Sequence, residues 1–365
     1  MQTDYILAAT ENCRYCLMCR HVCPVGHVTR LETLTPHGWG LTIASVRRGL
    51  LAWDADTVGA LYHCADCGTC RSHCVTDQPL PEAIAAARAE VIELGLAPAS
   101  VVEAGRKLAE FGNPFEARKP EPASGSGEVA LFVGDEARYR WPAALDAALK
   151  LLAALGIQPV LIGLGRNNGY LASSLGFPEA ARSLAHATLA ELTASGARQM
   201  LVLSPGDYFT FHKLYDERLG VPWPRRVELR EVVDLLAGAM AAGDLRFRQA
   251  EEAVEYAYLD PTHTVRIDGR WMAPRQLLDG ILPGPRRELF WRQERAHPTG
   301  ATALQFSMPH LSMMLASARL EDAQKTGARL VITEAPGDLA LLSRLAPRFG
   351  LRLQGLYELL AEHLI

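Results

Sequence analysis

The stretch CRYCLMCRHVC, residues 13–23, decides the fold of the N-terminal part of this chain, and CADCGTCRSHC, residues 64–74, repeats its spacing. All eight cysteines lie in these two runs, and they are Cys13, Cys16, Cys19, Cys23, Cys64, Cys67, Cys70 and Cys74. The shared pattern, C-x₂-C-x₂-C-x₃-C, holds 4Fe–4S clusters in bacterial ferredoxins. Three thiolates at this spacing can reach three corners of one cubane from a single tight loop. The sequence therefore predicts two 4Fe–4S clusters as cofactors.

The fourth cysteine of each run ligates the other cluster in two-cluster ferredoxins. One predicted cluster is therefore bound by Cys13, Cys16, Cys19 and Cys74, and the other by Cys64, Cys67, Cys70 and Cys23. Structural zinc prefers paired CxxC knuckles, and disulfides need an oxidising compartment, so both alternatives are disfavoured. The second run departs from the pattern at one point, because Val75 stands where Pro24 follows the first run.

Composition and charge indicate a globular protein that does not bind nucleic acid. The 365 residues are 49% hydrophobic and carry a net charge of −4, without the basic excess of nucleic-acid-binding domains. The N-terminus lacks the features of a signal peptide, and the most apolar stretches are too short to span a bilayer. We therefore expect a cytoplasmic protein without a transmembrane segment of its own.

The predicted fold class is α followed by α/β. Residues 1–118 form a helical ferredoxin domain with two clusters, because helical spacing of apolar residues fills the region between and after the cysteine runs. A Pro-, Gly- and Ser-rich linker covers 119–128. Strand and helix patterns then alternate through two halves, 129–255 and 256–365.

The two halves read as a repeat. GARQMLVLSPGD ends at Asp207 and GARLVITEAPGD ends at Asp338, 131 residues later, and several other positions match at the same offset. GLGRNNG, residues 163–169, is similar to a dinucleotide-binding fingerprint. Its last glycine is one position late, however, and the expected acidic residue is missing. A tight turn without a ligand is the favoured interpretation.

These motifs resemble a known family. The N-terminal part is similar to the two-cluster module of heterodisulfide reductase and to the iron–sulfur subunits of glycolate oxidase, lactate utilisation and anaerobic glycerol-3-phosphate dehydrogenase systems. The remainder resembles the duplicated cysteine-rich CCG domain of the same proteins. Here all ten of that domain's cysteine positions are substituted, by Asp135, Asn167, Asn168, Ser204, Asp207, Thr262, Pro298, Thr299, Ala335 and Asp338. The resemblance thus implies a CCG-like domain without thiolate-bound catalytic metal.

The doubled PGD turn then corresponds to Cys-Pro-Gly-Cys without its ligands. Asp207 and Asp338 each precede an apolar helical run, and Asp is a favoured N-cap residue, so we predict that both cap helices. The alternative is an oxygen-ligated metal held by Asp135, Asp207 and His263. We expect no catalytic residue in this region.

The resemblance implies an electron-transfer subunit of an oxidoreductase complex. An FAD-containing dehydrogenase subunit would deliver electrons, and a membrane or quinone-linked subunit or a soluble carrier would accept them. The C-terminal domain would serve for docking. The alternative is a redox enzyme whose C-terminal cleft binds a substrate or a non-thiolate metal.

Overall fold

A computed structural model describes residues 7, 10–115, 118, 125–263 and 270–365. The N-terminal part is helical, as predicted. Its α-helices are α1 (Met18–His21), α2 (Pro24–Thr29), α3 (Pro36–Arg47), α4 (Ala55–Tyr62), α5 (Thr69–Ser72), α6 (Leu80–Glu93) and α7 (Ala99–Phe111). Short 3₁₀ turns lie at Thr10–Asn12 and Glu32–Leu34. Most of the predicted linker, residues 119–124, lies outside the described residues.

Local capping explains where α3 and α4 begin. The Thr35 hydroxyl accepts a hydrogen bond from the Gly38 amide, and Pro36 occupies the first helical position. At α4 the Asp54 carboxylate accepts from the amides of Asp56 and Thr57, and the Thr57 side chain accepts in return from the Asp54 amide. These two helices make up much of the segment between the two cysteine runs.

A four-stranded parallel sheet follows, with the order β2-β1-β3-β4. Its strands are β1 (Val129–Val133), β2 (Val160–Leu164), β3 (Gln199–Val202) and β4 (Glu228–Glu231). The helices are α8 (Gly134–Tyr139), α9 (Pro142–Ala154), α10 (Tyr170–Leu175), α11 (Pro178–Ser195), α12 (Pro205–Phe209), α13 (Tyr215–Glu217) and α14 (Val232–Ala242), with a π-helical turn at Thr210–Leu214.

A second parallel sheet has the order β5-β6-β7. Its strands are β5 (Tyr256–Tyr258), β6 (Leu330–Thr333) and β7 (Arg352–Gly355), and its helices are α15 (Met272–Ile281), α16 (Leu304–Ser307), α17 (Pro309–Lys325), α18 (Pro336–Leu342) and α19 (Leu356–His363). Two 3₁₀ turns, Gln293–Arg295 and Ala346–Phe349, complete the described elements. An isolated parallel bridge joins Tyr256 of β5 to Arg286. It lies on the edge of β5 that β6 does not occupy, and it corresponds to the place of β2 beside β1 in the first sheet.

The order β5-β6-β7 of the second sheet corresponds to β1-β3-β4 of the first, and helices of the two halves pack on one another. Helix α9 packs on α19, and α14 packs on α15. A hydrophobic core fills this junction, with Leu151, Leu236, Leu278 and Leu360 fully buried in it. The assignment of these halves to a CCG domain stays a prediction. None of the described helices is long and apolar enough to cross a membrane.

Buried contacts join the helical part to the sheets. The Tyr62 hydroxyl donates to the Leu175 carbonyl at 3.2 Å, and the Ser307 hydroxyl donates to the Tyr62 carbonyl at 3.1 Å. Gly176 has a φ of 99°, and a Cβ there would lie 2.7 Å from the carbonyl carbon of Arg88. Glycine at this position lets α10 approach α6 closely.

Candidate metal centre and an adjoining polar cavity

Both cysteine loops have the same unusual backbone. Tyr15 and Leu17 in the first loop have φ angles of 53° and 61°, and Asp66 and Gly68, at the matching positions of the second loop, have 49° and 74°. Left-handed residues alternating with ordinary ones turn successive backbone N–H groups inward and form concave anion-binding nests. Such conformations are costly for Tyr, Leu and Asp, so the surrounding structure must hold them. The two loops are built to face negative charge.

Backbone amides already point at the sulfur atoms. The Tyr15 amide donates to Cys13 Sγ at 3.4 Å, and the Asp66 amide donates to Cys64 Sγ at 3.3 Å. The fourth cysteine of each run is also bonded, since Cys23 Sγ accepts from Gly26 and Cys74 Sγ from Gln78. Hydrogen bonds to the sulfurs are one of the factors that set iron–sulfur reduction potentials.

The fold brings each fourth cysteine to the other run. A cavity of about 60 Å³ is lined by thiols of both runs, namely Cys13, Cys16, Cys19, Cys70 and Cys74. Burial raises the pKa of Cys19 to about 11, and repulsion from Cys13, Cys74 and Cys16 adds to that shift. Burial raises the pKa of Cys23 further, and Cys67 and Cys64 contribute. The crossed ligand assignment stays a prediction. The approach of Cys74 to the first run and of Cys23 to the second fits it, and Cys70, which also lines the cavity, is repelled more by Cys64, Cys67 and Cys23 than by Cys19.

The two predicted ligand sets differ in exposure, and we call Cys13, Cys16, Cys19 and Cys74 the first or surface thiol group and Cys64, Cys67, Cys70 and Cys23 the second thiol group. Cys16 is exposed, and the side chains of Tyr15, Met18 and Leu41 near it are also exposed. Cys23, Cys64 and Cys67 are buried. Burial raises the pKa of Cys64 to about 12. The first group thus lies at the surface, and the second lies inside, against the C-terminal part.

Asp66, between two cysteines of the second loop, is fastened by the C-terminal part. Its carboxylate accepts hydrogen bonds from both terminal nitrogens of Arg218, at 2.9 and 3.3 Å. Its carbonyl accepts from the Tyr170 hydroxyl and from His263 Nε2, each at 2.9 Å. The Tyr170 oxygen and His263 Nε2 are 3.2 Å apart. Three residues distant in sequence therefore hold the strained turn of the second loop.

A polar cavity of about 90 Å³ adjoins this contact at the carboxyl ends of β1 and β3. In the order β2-β1-β3-β4, successive strands are added to one side of β1 and then to the other, so the strand order reverses between β1 and β3. Ligands usually bind at this point in open parallel sheets. Burial raises the pKa of Asp135 to about 6 and that of Asp207 to about 8. Burial together with the Asp135 charge raises the pKa of Glu136 to about 8. The cavity therefore holds carboxyl groups that resist ionisation.

Polar pairs recur in both halves, at positions that the CCG resemblance aligns with cysteines. Asn168 Nδ2 donates to Asp207 at 2.6 Å, and the Thr299 hydroxyl donates to Asp338 at 2.5 Å, so both pairs recur at the same 131-residue offset. Asn167 Nδ2 similarly donates to Asp135 at 3.0 Å. Among the described residues, no three His, Cys, Asp or Glu side chains are placed to hold a single metal ion.

The predicted N-cap role of Asp207 and Asp338 is wrong. The N-cap residues are Ser204 and Ala335, and each aspartate is the third residue of its helix. The proline of each turn starts the helix at its first position, earlier than we predicted. Their carboxylates do not cap the helices and instead accept the hydrogen bonds from Asn168 and Thr299.

The glycine-rich segment after β2 forms a turn whose amide already has a partner. Gly163 and Gly165 have positive φ angles of 60° and 77°. The Gly163 amide donates to the Glu191 carboxylate at 2.8 Å, and Arg166 binds the same carboxylate. The turn is therefore tied to Glu191 within the chain, which fits the predicted tight turn without a ligand.

Sequence reasoning missed several residues of these sites. Tyr170 and Glu136 lie on short helices and Arg218 lies in the turn that follows Tyr215–Glu217, and no local motif marks them. Arg88 is a fully buried arginine in the otherwise regular pattern of α6. An arginine on the apolar face of an amphipathic helix was the available signal, since arginine is rarely buried without a partner.

The comparison with protein families agrees with the geometry of the cysteine loops. Residues 9–78 match the family model described as a 4Fe–4S dicluster domain. Comparison with curated proteins gave no significant match. The N-terminal region is therefore a 4Fe–4S dicluster domain with an electron-transfer role.

Proposed function

We propose that this chain is the electron-transfer subunit of an oxidoreductase complex and holds two 4Fe–4S clusters. The observation that carries the proposal is the pair of cysteine loops with one backbone conformation, one at the surface and one inside. Cys13, Cys16, Cys19 and Cys74 would hold one cluster, and Cys64, Cys67, Cys70 and Cys23 the other. When bound, such clusters accept and release single electrons.

The exposed thiol group marks the face where a redox partner docks. Tyr15, Met18 and Leu41 provide apolar contact area around Cys16. Exposed apolar residues that cluster at one site favour a protein interface. We expect an FAD-containing dehydrogenase subunit as the donor on this face, and a quinone-linked or soluble acceptor elsewhere.

The C-terminal part serves as a docking scaffold in this proposal. The polar pairs at the former cysteine positions satisfy one another, as expected of a region that kept its shape after losing its own cofactor. Through Arg218, Tyr170 and His263 it also holds the second cysteine loop.

Ligand assignment is tested by grouping single cysteine variants through their EPR spectra. We expect Cys16→Ala and Cys74→Ala to remove or alter the same signal, and Cys67→Ala and Cys23→Ala the other. Iron analysis of the anaerobically purified wild type should give about eight irons per chain. Grouping of Cys74→Ala with Cys67→Ala would overturn the crossed assignment.

The partner is tested by anaerobic co-purification from native cells with flavin measured in the eluate. Leu41→Asp should reduce the recovered flavin without changing iron content. Val102→Asp is the matched control, because Leu41 and Val102 are 41% and 49% exposed and Val102 lies on α7, outside the lining of the cavity that holds Cys16. Equal flavin recovery with both variants would exclude docking at the Cys16 face.

A redox enzyme is the second candidate, and the position of the polar cavity favours it. The cavity touches Tyr170 and His263, which contact the loop of the second thiol group. Turnover by the isolated chain that is lost in Asp135→Asn would support catalysis in this cavity. An isolated chain that exchanges electrons but transforms no substrate would support the first proposal.

A further inference from the structure

Arg88 is a buried cation whose hydrogen bonds all go to neutral groups. Its side chain lies on α6 and is 1% exposed. Nε and Nη2 donate to the Leu61 carbonyl at 3.2 and 2.6 Å, and Nη2 also donates to the Cys64 carbonyl at 2.8 Å. Nη1 donates to the Ser174 carbonyl at 2.7 Å. Within the described ranges, no carboxylate lies at ion-pair distance from Arg88.

An unpaired buried charge is costly, so a counter-charge is expected nearby. The charge of Arg88 helps to lower the pKa of Asp66, but Arg218 already binds that carboxylate through two hydrogen bonds. Asp66 and Arg218 together are neutral and leave the charge of Arg88 uncompensated. Arg88 also donates a hydrogen bond to the carbonyl of Cys64. The second thiol group, to which Cys64 belongs, is therefore the neighbour of Arg88 that can carry the compensating negative charge.

We infer that Arg88 is the fixed counter-cation of the cluster bound by the second thiol group and makes its reduction potential more positive. This inference rests on the proposed function. Reduction adds one electron and one negative charge to a buried site, and burial disfavours that charge. The guanidinium favours it, and Arg88 stays protonated because arginine is not deprotonated in proteins. Arg88 thereby keeps an interior cluster reducible.

The surface thiol group has no buried cation beside it among the described residues, because Arg14, which lines its cavity, is exposed to water. Arg20 pairs with Glu32, and Arg71 pairs with Asp77 and Glu82. Water also screens charges around the exposed Cys16. Changing Arg88 should therefore shift one of two potentials.

The test is an EPR-monitored redox titration of the full chain with its clusters bound. Arg88→Gln should weaken electron binding at one cluster at least tenfold, which is 59 mV for a one-electron couple, toward negative potential. Arg88→Lys keeps the charge but loses the guanidinium geometry, and it should restore most of the shift. Cys16→Ser should shift the other potential and so identify the two clusters. If Arg88 had only a structural role, Arg88→Gln and Arg88→Lys would shift the potential by similar amounts.

A second variant keeps the inference testable if the Arg88 variants do not fold. Asp66→Asn keeps shape and tolerates the left-handed backbone, but it leaves Arg218 uncompensated beside Arg88. The same potential should therefore move in the positive direction. Unchanged potentials in Asp66→Asn and Arg88→Gln, with full iron content, would overturn the counter-cation role alone. Absence of two titrating clusters in the wild type would instead refute the proposed function.

Discussion

Replacing Asp207 by asparagine should stabilise the protein at neutral pH if the polar cavity is not an active site. Burial raises the pKa of Asp207 to about 8 from an unfolded value of 3.8. A carboxyl group with a raised folded-state pKa is most favourable below the unfolded pKa and loses stability as pH rises to the folded pKa. Asparagine never ionises and can still accept the hydrogen bond from Asn168.

The expected gain in unfolding free energy follows from the difference between the folded and unfolded pKa values of Asp207. Each pH unit between the two pKa values costs about 1.4 kcal/mol for a fully buried group. The Asp207 side chain is only partly buried by surface area, so we discount this for solvent screening and expect a gain of about 1–3 kcal/mol at pH 8. The gain should shrink steadily toward pH 4 and stay constant above pH 8.

The assay is denaturant unfolding of wild type and Asp207→Asn from pH 5 to pH 9, with cluster content held equal. Asp146→Asn, at an exposed position on α9, is the matched control and should give no pH-dependent difference. Loss of stability in Asp207→Asn at pH 8, or a difference independent of pH, would refute the reasoning. A stabilised variant that also loses turnover would point to the enzyme alternative.

Two further predictions concern the junction of the helical part with the sheets. In thermal unfolding, Gly176→Ala should destabilise the protein by about 2–5 kcal/mol, because residue 176 has a left-handed φ and the new Cβ would clash with the backbone of α6. Gly196→Ala is the control, because it has a left-handed φ without a clash, and it should cost about 1–2 kcal/mol. Equal losses would contradict the close approach. Arg218→Ala should cost about 3–5 kcal/mol at pH 8 and less at low pH. Burial raises the pKa of Asp66, Arg218 outweighs this in the wild type, and removing Arg218 lets Asp66 take up a proton instead. Arg106→Ala removes an exposed pair on a helix and should leave the midpoint of a urea titration almost unchanged. An equally small effect of Arg218→Ala would show that Asp66 is solvated.

Local sequence patterns predicted the helices and the apolar strands. Helices α6 and α7 lie where amphipathic spacing placed them, and β1, β2, β3 and β6 coincide with apolar runs. Strands β4 and β7 went unpredicted, because ELRE and RLQG are polar edge strands without an apolar run. Their pairing depends on a neighbouring strand far away in sequence.

The spacing of the cysteines was sufficient to predict the dicluster domain, because three ligands from one tight loop are a property of a few consecutive residues. The tertiary structure alone brought Cys74 to the first loop, fixed Asp66 through Arg218, and buried Arg88 where no carboxylate of the described residues pairs with it. It likewise paired Asn168 with Asp207. These features arise where segments far apart in sequence exclude water together. Burial, charge compensation and pKa depend on what surrounds a group, and only the folded chain decides that.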